Sequence, residues 1–228
     1  MRIAVTGTAC VGKSTFVNDF LNNWSDIYSK PESSYRDMLK EKKLEHSKQT
    51  NKETQQAILD YMVDQHMKYT KDDHVIFDRC PLDNLVYSLY SYDKGLSDID
   101  EEFIESCIPI IKEAMRFIDI VLYIPKLGDV KIEDDGNRET DPEFVDEIDK
   151  MLMQIEHQAL QPASVFFHTD DRPAFIRISG EPRERIRQAS LYITDDGGSY
   201  TDQESEIDWE ELAGLGIQPE DVFPGGKL

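Results

Sequence analysis

Eight residues near the start of the chain, Gly7-Thr8-Ala9-Cys10-Val11-Gly12-Lys13-Ser14, have the types and spacing to hold phosphate. Two glycines five positions apart let a backbone turn tightly enough for its amides to face one anion. A lysine in the place of Lys13 reaches the β- and γ-phosphates of a nucleotide, and a hydroxyl in the place of Ser14 can ligate magnesium. The nucleotide-contacting set is therefore expected to be Gly7, Thr8, Ala9, Cys10, Val11, Gly12, Lys13, Ser14 and Thr15. Cys10 reads as a small space-filler, with a redox switch as the alternative, because thiol reactivity needs exposure and a lowered pKa.

A second oxygen ligand is available in Asp78, which closes the apolar run His74-Val75-Ile76-Phe77. In parallel sheets ligands gather at the carboxyl ends of strands, so Asp78 is expected beside the loop, where it would hold magnesium or its water with Ser14. A plain helix cap is the alternative for Asp78. Arg79 has two readings of equal weight: a guanidinium clamp on phosphate or acceptor, or a structural partner for Asp83.

These residues need elements to position them. Arg2–Thr6 is a short apolar run before the glycine loop and predicts a buried strand, followed by a helix over Ser14–Trp24 with apolar residues at helical spacing. Ile27–Lys30 predicts a weak second strand stopped by Pro31; His74–Asp78, Ile118–Ile124 and Ala174–Ser179 predict three more. Helices are predicted over Tyr35–Leu44, Lys52–Tyr69, Pro81–Tyr92, Glu101–Phe117, Pro142–Leu160 and Pro182–Tyr192, with a kink or late start at Pro109. Strands alternating with helices imply a parallel sheet covered on both faces. Residues 126–141 are polar, rich in Gly and Asp and without apolar period, as in a mobile lid. The expected organisation is an α/β domain over residues 1–194 and a largely disordered acidic tail over 195–228.

Bulk composition narrows the function. The 228 residues suit one domain, and 25 Lys and Arg against 46 Asp and Glu leave a net charge of −21. Ten of the acidic residues and one lysine lie beyond Thr194. An acidic chain is poorly suited to gripping an extended polyanion, since nucleic-acid affinity comes largely from cations displacing phosphate counterions. Three scattered cysteines, Cys10, Cys80 and Cys107, suit reduced thiols, and no metal-ligand spacing joins them to the histidines. With no signal segment and no membrane-length apolar stretch, a cytoplasmic protein is expected, in a host cytoplasm if the chain is phage-encoded.

A GTP-dependent switch would carry an Asn-Lys-x-Asp segment and an Asp-x-x-Gly turn after the second strand, and neither stands in a suitable position. The stretch VIFDRCPLDNLVY, residues 75–87, instead resembles the Asp/Glu-Arg motif of the thymidylate-kinase and deoxynucleoside-kinase group. It is similar in particular to a subgroup that includes ribosylnicotinamide kinases. KPESSYRDML, DDGNRETDPEFVDEID and IRISGEPRERIRQA extend the resemblance to about residues 1–193. It implies a three-layer α/β/α fold with a five-stranded parallel sheet, ATP as co-substrate and Mg2+ as cofactor. It further implies Glu32 as general base or orienting group for an acceptor hydroxyl, with Arg36, Arg79, Asp83, Tyr87 and Tyr90 around the acceptor. Arg138 is the candidate lid arginine, Lys13 joins it in stabilising the transferring phosphoryl, and the last stretch would lie under the adenine. A Glu in the base position favours a hydroxyl acceptor over a phosphate. Two alternatives stand beside this: a bacteriophage thymidylate-kinase-like enzyme acting on 5-hydroxymethyluracil within DNA, and a non-catalytic regulatory ATP-binding module.

Overall fold

The computed structural model describes residues 1–44, 50–128, 141–159, 161, 163–194 and 196–199. Strand β1 (Arg2–Thr6) leads to helix α1 (Lys13–Asn23), then α2 (Tyr35–Lys42) and α3 (Lys52–His66). Strand β2 (Val75–Asp78) is followed by α4 (Pro81–Asp93), α5 (Glu101–Ala114) and a 3-10 turn at Met115–Phe117. Strand β3 (Ile120–Tyr123), helix α6 (Pro142–Ala159), strand β4 (Ala174–Arg177) and helix α7 (Pro182–Ala189) complete the order.

The strands pair in parallel in the order β2-β1-β3-β4, with Ile3 beside Ile76 on one side and Ile120 on the other. Both faces are covered, which explains why the strands read as continuous apolar runs. Ile3, Val5, Ile76, Ile120 and Leu122 face α1 and α7, where they pack with Phe16, Val17 and Phe20. The alternate residues Ala4, Val75, Phe77, Val121 and Tyr123 join Leu85, Ile111, Phe144 and Ile148 on the opposite face. The period-two alternation of side chains makes this division.

Among the described residues four strands form the sheet where five were expected. The Ile27–Lys30 segment pairs with β2 through one bridge, Ser29 to Val75. Ser29 donates to the His74 carbonyl (3.1 Å) and accepts from the Ile76 amide (2.9 Å). The next rung of that parallel ladder would need an amide from residue 31, and Pro31 has none. The chain therefore leaves the sheet at the level of Phe77 and Asp78 and opens a gap at its edge.

Helix α5 begins at Glu101, where Asp100 Oδ1 caps the Phe103 amide at 3.0 Å, so Pro109 does not delay it. Pro109 lies inside the helix and is exposed, as is Glu105, whose carbonyl has no helical amide donor because proline lacks an N–H. Residues 196–199, assigned from sequence to the tail, fold against the start of the sheet. Ile193 bridges Ser199, and Tyr28 Oη donates to the Gly197 carbonyl at 2.6 Å. Gly197 has φ +85° and lies so close to Ile27 and His74 that a Cβ would collide with both. The remaining tail, 200–228, and residues 129–140 of the lid expected over 126–141, Arg138 among them, lie outside the described residues. Among the described residues no helix is long and apolar enough to cross a membrane.

Candidate active site

The phosphate-binding loop leaves the carboxyl end of β1, at the centre of the sheet. Gly7 is required by space: a Cβ there would lie 2.5 Å from the Ile124 carbonyl oxygen, at a φ of +152°. Gly12, at φ +84°, is the N-cap of α1 and offers no side-chain cap, so the first amides of the helix remain available to an anion. Cys10 adopts φ +62°, a left-handed conformation uncommon outside glycine, which bends the loop around its centre. Thr8 anchors the loop from behind by donating from its hydroxyl to the Val145 carbonyl (2.9 Å), and Val11 is buried in the core. Ala9, Cys10, Gly12, Lys13, Ser14 and Thr15 line a cavity of about 460 Å³.

Lys13 is buried and its Nζ donates to the Thr8 carbonyl. Burial, with the Arg79 charge adding to it, brings the ammonium down to a pKa of about 7, against the pull of Asp78 and Asp83. Ser14 Oγ donates to Asp78 Oδ2 at 2.9 Å, so loop and strand end meet as the sequence predicted. Asp78 does not cap α4. That role falls to Asp83, whose Oδ2 accepts from the Cys80 amide at 3.0 Å. A hydroxyl and a carboxylate at the mouth of an amide-lined loop form an all-oxygen donor set that fits a hard divalent cation sharing phosphate oxygens. Among the described residues no group of three or more His, Cys, Asp or Glu is placed to hold a metal by itself.

Arg79 is the structural partner of Asp83 and also lines the cavity. Nη1 donates to Asp83 Oδ1 at 2.8 Å and Nη2 to Tyr87 Oη at 3.2 Å, while the guanidinium lies over Tyr87 and Tyr35 (5.1 and 5.9 Å to the ring centroids). Arg79 has φ +90°, a strained conformation for a long side chain, and its amide still bonds the Val5 carbonyl at 3.0 Å. The strand end thus turns sharply enough to send the arginine into the cavity. Arg36 lines the same cavity and donates from Nε to Tyr35 Oη at 3.3 Å. Glu32 is exposed at the rim beside Ser33, which Tyr61 ties to α3 by donating to its carbonyl at 2.6 Å. Tyr87 lines the cavity as expected. Tyr90 does not: it is buried against Phe144 at 4.7 Å between ring centroids.

A second cavity of about 400 Å³ opens on the other side of the loop, between Cys10, Val11 and Thr15, the Pro125–Leu127 stretch and the Gly180–Pro182 turn. The stretch IRISGEPRERIRQA therefore forms β4, this turn and α7 under one wall of the loop.

The sequence profile of the family described as AAA domain matches residues 2–169. The chain belongs to the AAA domain family. Its fold is that of P-loop nucleoside and nucleotide kinases, thymidylate-kinase-like in form. The deoxyadenosine kinase of M. mycoides, solved with products dCMP and dCDP, superposes with a TM-score of 0.58 at 17% identity, over 84% of this chain and 97% of that one. Thymidylate kinase from Candida albicans gives 0.58 at 15% identity, over 83% and 89% of the two chains. NadR in complex with NR gives 0.58 at 14% identity over 84% of this chain, which spans 51% of the NadR chain, about half its length. Among curated protein sequences none matches.

Several members of this AAA-domain site escaped the sequence. Asn84 and Gln55 are buried in the cavity wall: Asn84 Nδ2 donates to the Gln55 carbonyl (2.9 Å) and to Gln55 Oε1 (2.6 Å), and Gln55 Nε2 donates to Thr50 Oγ1 (2.8 Å). Gln55 shares the inward stripe of α3 with Ile58, Leu59 and Met62, so a polar residue on an apolar helical stripe was the available signal. Tyr35, Tyr61 and Phe144 also line the cavity, and aromatic residues in amphipathic helices carry no such mark.

Proposed function

We propose that this protein is a magnesium-assisted, ATP-dependent kinase that passes the γ-phosphoryl group to a hydroxyl of a nucleoside- or nucleotide-like acceptor, a phosphate being the alternative acceptor group. One observation carries the reading. The Ser14–Asp78 pair and Lys13 lie at one end of a continuous cavity whose other part holds Arg79, Arg36, Asp83, Tyr87 and Glu32. Donor and acceptor halves therefore share one cavity, as transfer between two molecules requires. The relatives add support: NadR has been solved with NAD and AMP-PNP, and deoxyadenosine kinase with dCMP and dCDP.

In this reading the loop amides and the start of α1 hold the donor phosphates, and Lys13 leaves the Thr8 carbonyl for phosphate oxygens. Ser14 and Asp78 would hold magnesium, which when bound offsets phosphate charge. Glu32 takes or orients the acceptor proton as the acceptor oxygen bonds to the γ-phosphorus and the bond to the ADP oxygen breaks. Arg79 and Arg36 position the acceptor, Arg79 being held flat by Asp83 and Tyr87. Tyr87 and Phe144 wall the acceptor end against water. Arg138 is assigned to the transferring phosphoryl group by resemblance.

Labelled ATP supplied with a panel of nucleosides, nucleotides, nicotinamide riboside and 5-hydroxymethyluracil-containing DNA tests this. One acceptor is expected to become labelled and to stimulate ATP consumption. Labelling of the DNA with a steep fall in activity as salt rises would assign a polymer acceptor. If no acceptor stimulates turnover and Asp78→Asn leaves ATP consumption unchanged, the kinase reading fails and a regulatory nucleotide-binding module remains.

A further inference from the structure

Arg185, in the first turns of α7, makes two contacts to backbone carbonyls that no local feature of its helix requires. Its Nη1 donates to the Val11 carbonyl at 2.6 Å, across 174 residues of sequence, and its Nε donates to the Gly180 carbonyl at 2.8 Å. Val11 belongs to the phosphate-binding loop, and Gly180 to the turn that enters α7. In a trans peptide unit the carbonyl and the following amide point in opposite directions. A guanidinium holding the Val11 carbonyl on the outer side of the loop therefore directs the Gly12 amide to the inner side, where the donor phosphates would lie. The approach is close: a Cβ on Gly12 would lie 3.1 Å from Nη1, and Gly12 is at φ +84°. A lysine would reach one carbonyl as a point donor, whereas the planar fork holds both at once.

We propose that Arg185 is a positioning residue for the donor phosphates, acting through the Val11–Gly12 peptide. This rests on the donor-site reading of the loop but on no choice of acceptor. The arginine also walls the second cavity, so contact with a donor base has to be separated from control of the loop. Magnesium tripolyphosphate, which has no base, makes that separation.

Calorimetric titration of the full chain with magnesium tripolyphosphate and with MgATP, for wild type, Arg185→Gln and Arg185→Lys, is the experiment. Both ligands are expected to bind on the order of tenfold more weakly to Arg185→Gln, by a common factor, with Arg185→Lys recovering part of the loss. Thermal unfolding midpoints without ligand should stay within a few degrees of wild type. Unchanged tripolyphosphate affinity in Arg185→Gln, with or without weaker ATP binding, overturns the proposal while leaving the donor site standing. A wild-type protein that binds neither ligand overturns the donor reading and the proposal with it.

Discussion

Ser14 and Asp78 are 64 residues apart in the chain, yet the serine hydroxyl donates to the aspartate carboxylate at 2.9 Å. The pair exists because β1 and β2 are adjacent parallel strands whose carboxyl ends are level, with Val5 beside Asp78. Asp78→Asn keeps shape and removes the charge that a divalent cation requires. Phosphoryl transfer is expected to fall by roughly a hundredfold or more, while the unfolding midpoint barely moves because Asp78 is exposed. Steady-state turnover and thermal unfolding of the same variant check both halves.

Lys13 gives a proton signature. Its pKa of about 7 in the free protein arises mainly from burial, and a bound triphosphate favours the charged form. At about pH 8 the free lysine is largely neutral and the bound one charged, so nucleotide binding should take up close to one proton. The uptake vanishes below about pH 6, where the lysine is charged in both states, and affinity should fall as pH rises through the window above 7. Titration calorimetry in buffers of different ionisation enthalpy measures the uptake, and Lys13→Met should abolish it.

Arg79 and Asp83 form a buried pair whose carboxylate also caps α4. Arg79→Ala leaves Asp83, 1% exposed, without its cation, and is expected to cost about 3–5 kcal/mol. Replacing both, as Arg79→Met with Asp83→Asn, should cost less than the single change, since no unpaired charge remains buried. Denaturant unfolding of the single and double variants decides this, and both should lose acceptor affinity if the clamp reading holds.

Acid should destabilise the fold through His66. The ring is buried against Phe77, its Nδ1 has no hydrogen-bond partner among the described residues, and burial with the Arg2 charge lowers its pKa to about 3. The folded state stays unprotonated while the unfolded chain takes a proton near its usual value, so stability is lost as pH falls from about 6.5 towards 3. Across that window the slope contributed is at most about 1.4 kcal/mol per pH unit. His66→Phe should flatten stability against pH between about 6 and 4 by up to that amount; an unchanged slope would refute the assignment.

Much of the architecture is legible locally. The glycine loop reads directly because its chemistry lies in contiguous residues, and Asp78 reads because a buried parallel strand delivers its last side chain to the ligand end. The helix starts at Tyr35, Lys52, Pro81 and Glu101 are where the sequence predicts them, and the structure shows Ser34, Asn51 and Asp100 capping three of them. The missing fifth strand was harder. Pro31 is visible in the sequence, but its effect depends on the Ser29–Val75 register, which makes residue 31 the one whose amide would bond the Ile76 carbonyl.

By itself the sequence determined the glycine loop and the alternation of strand and helix, because each is written within a few neighbouring positions. Only the tertiary structure decided that Arg79 pairs with Asp83 while lining the cavity, that Tyr90 packs away from that cavity, and that Gln55 meets Asn84 across 29 residues. It also brought Arg185 to the loop. The reason is physical. Hydrogen bonds across the fold depend on sheet order and on the facing of packed helices, and local propensity encodes neither.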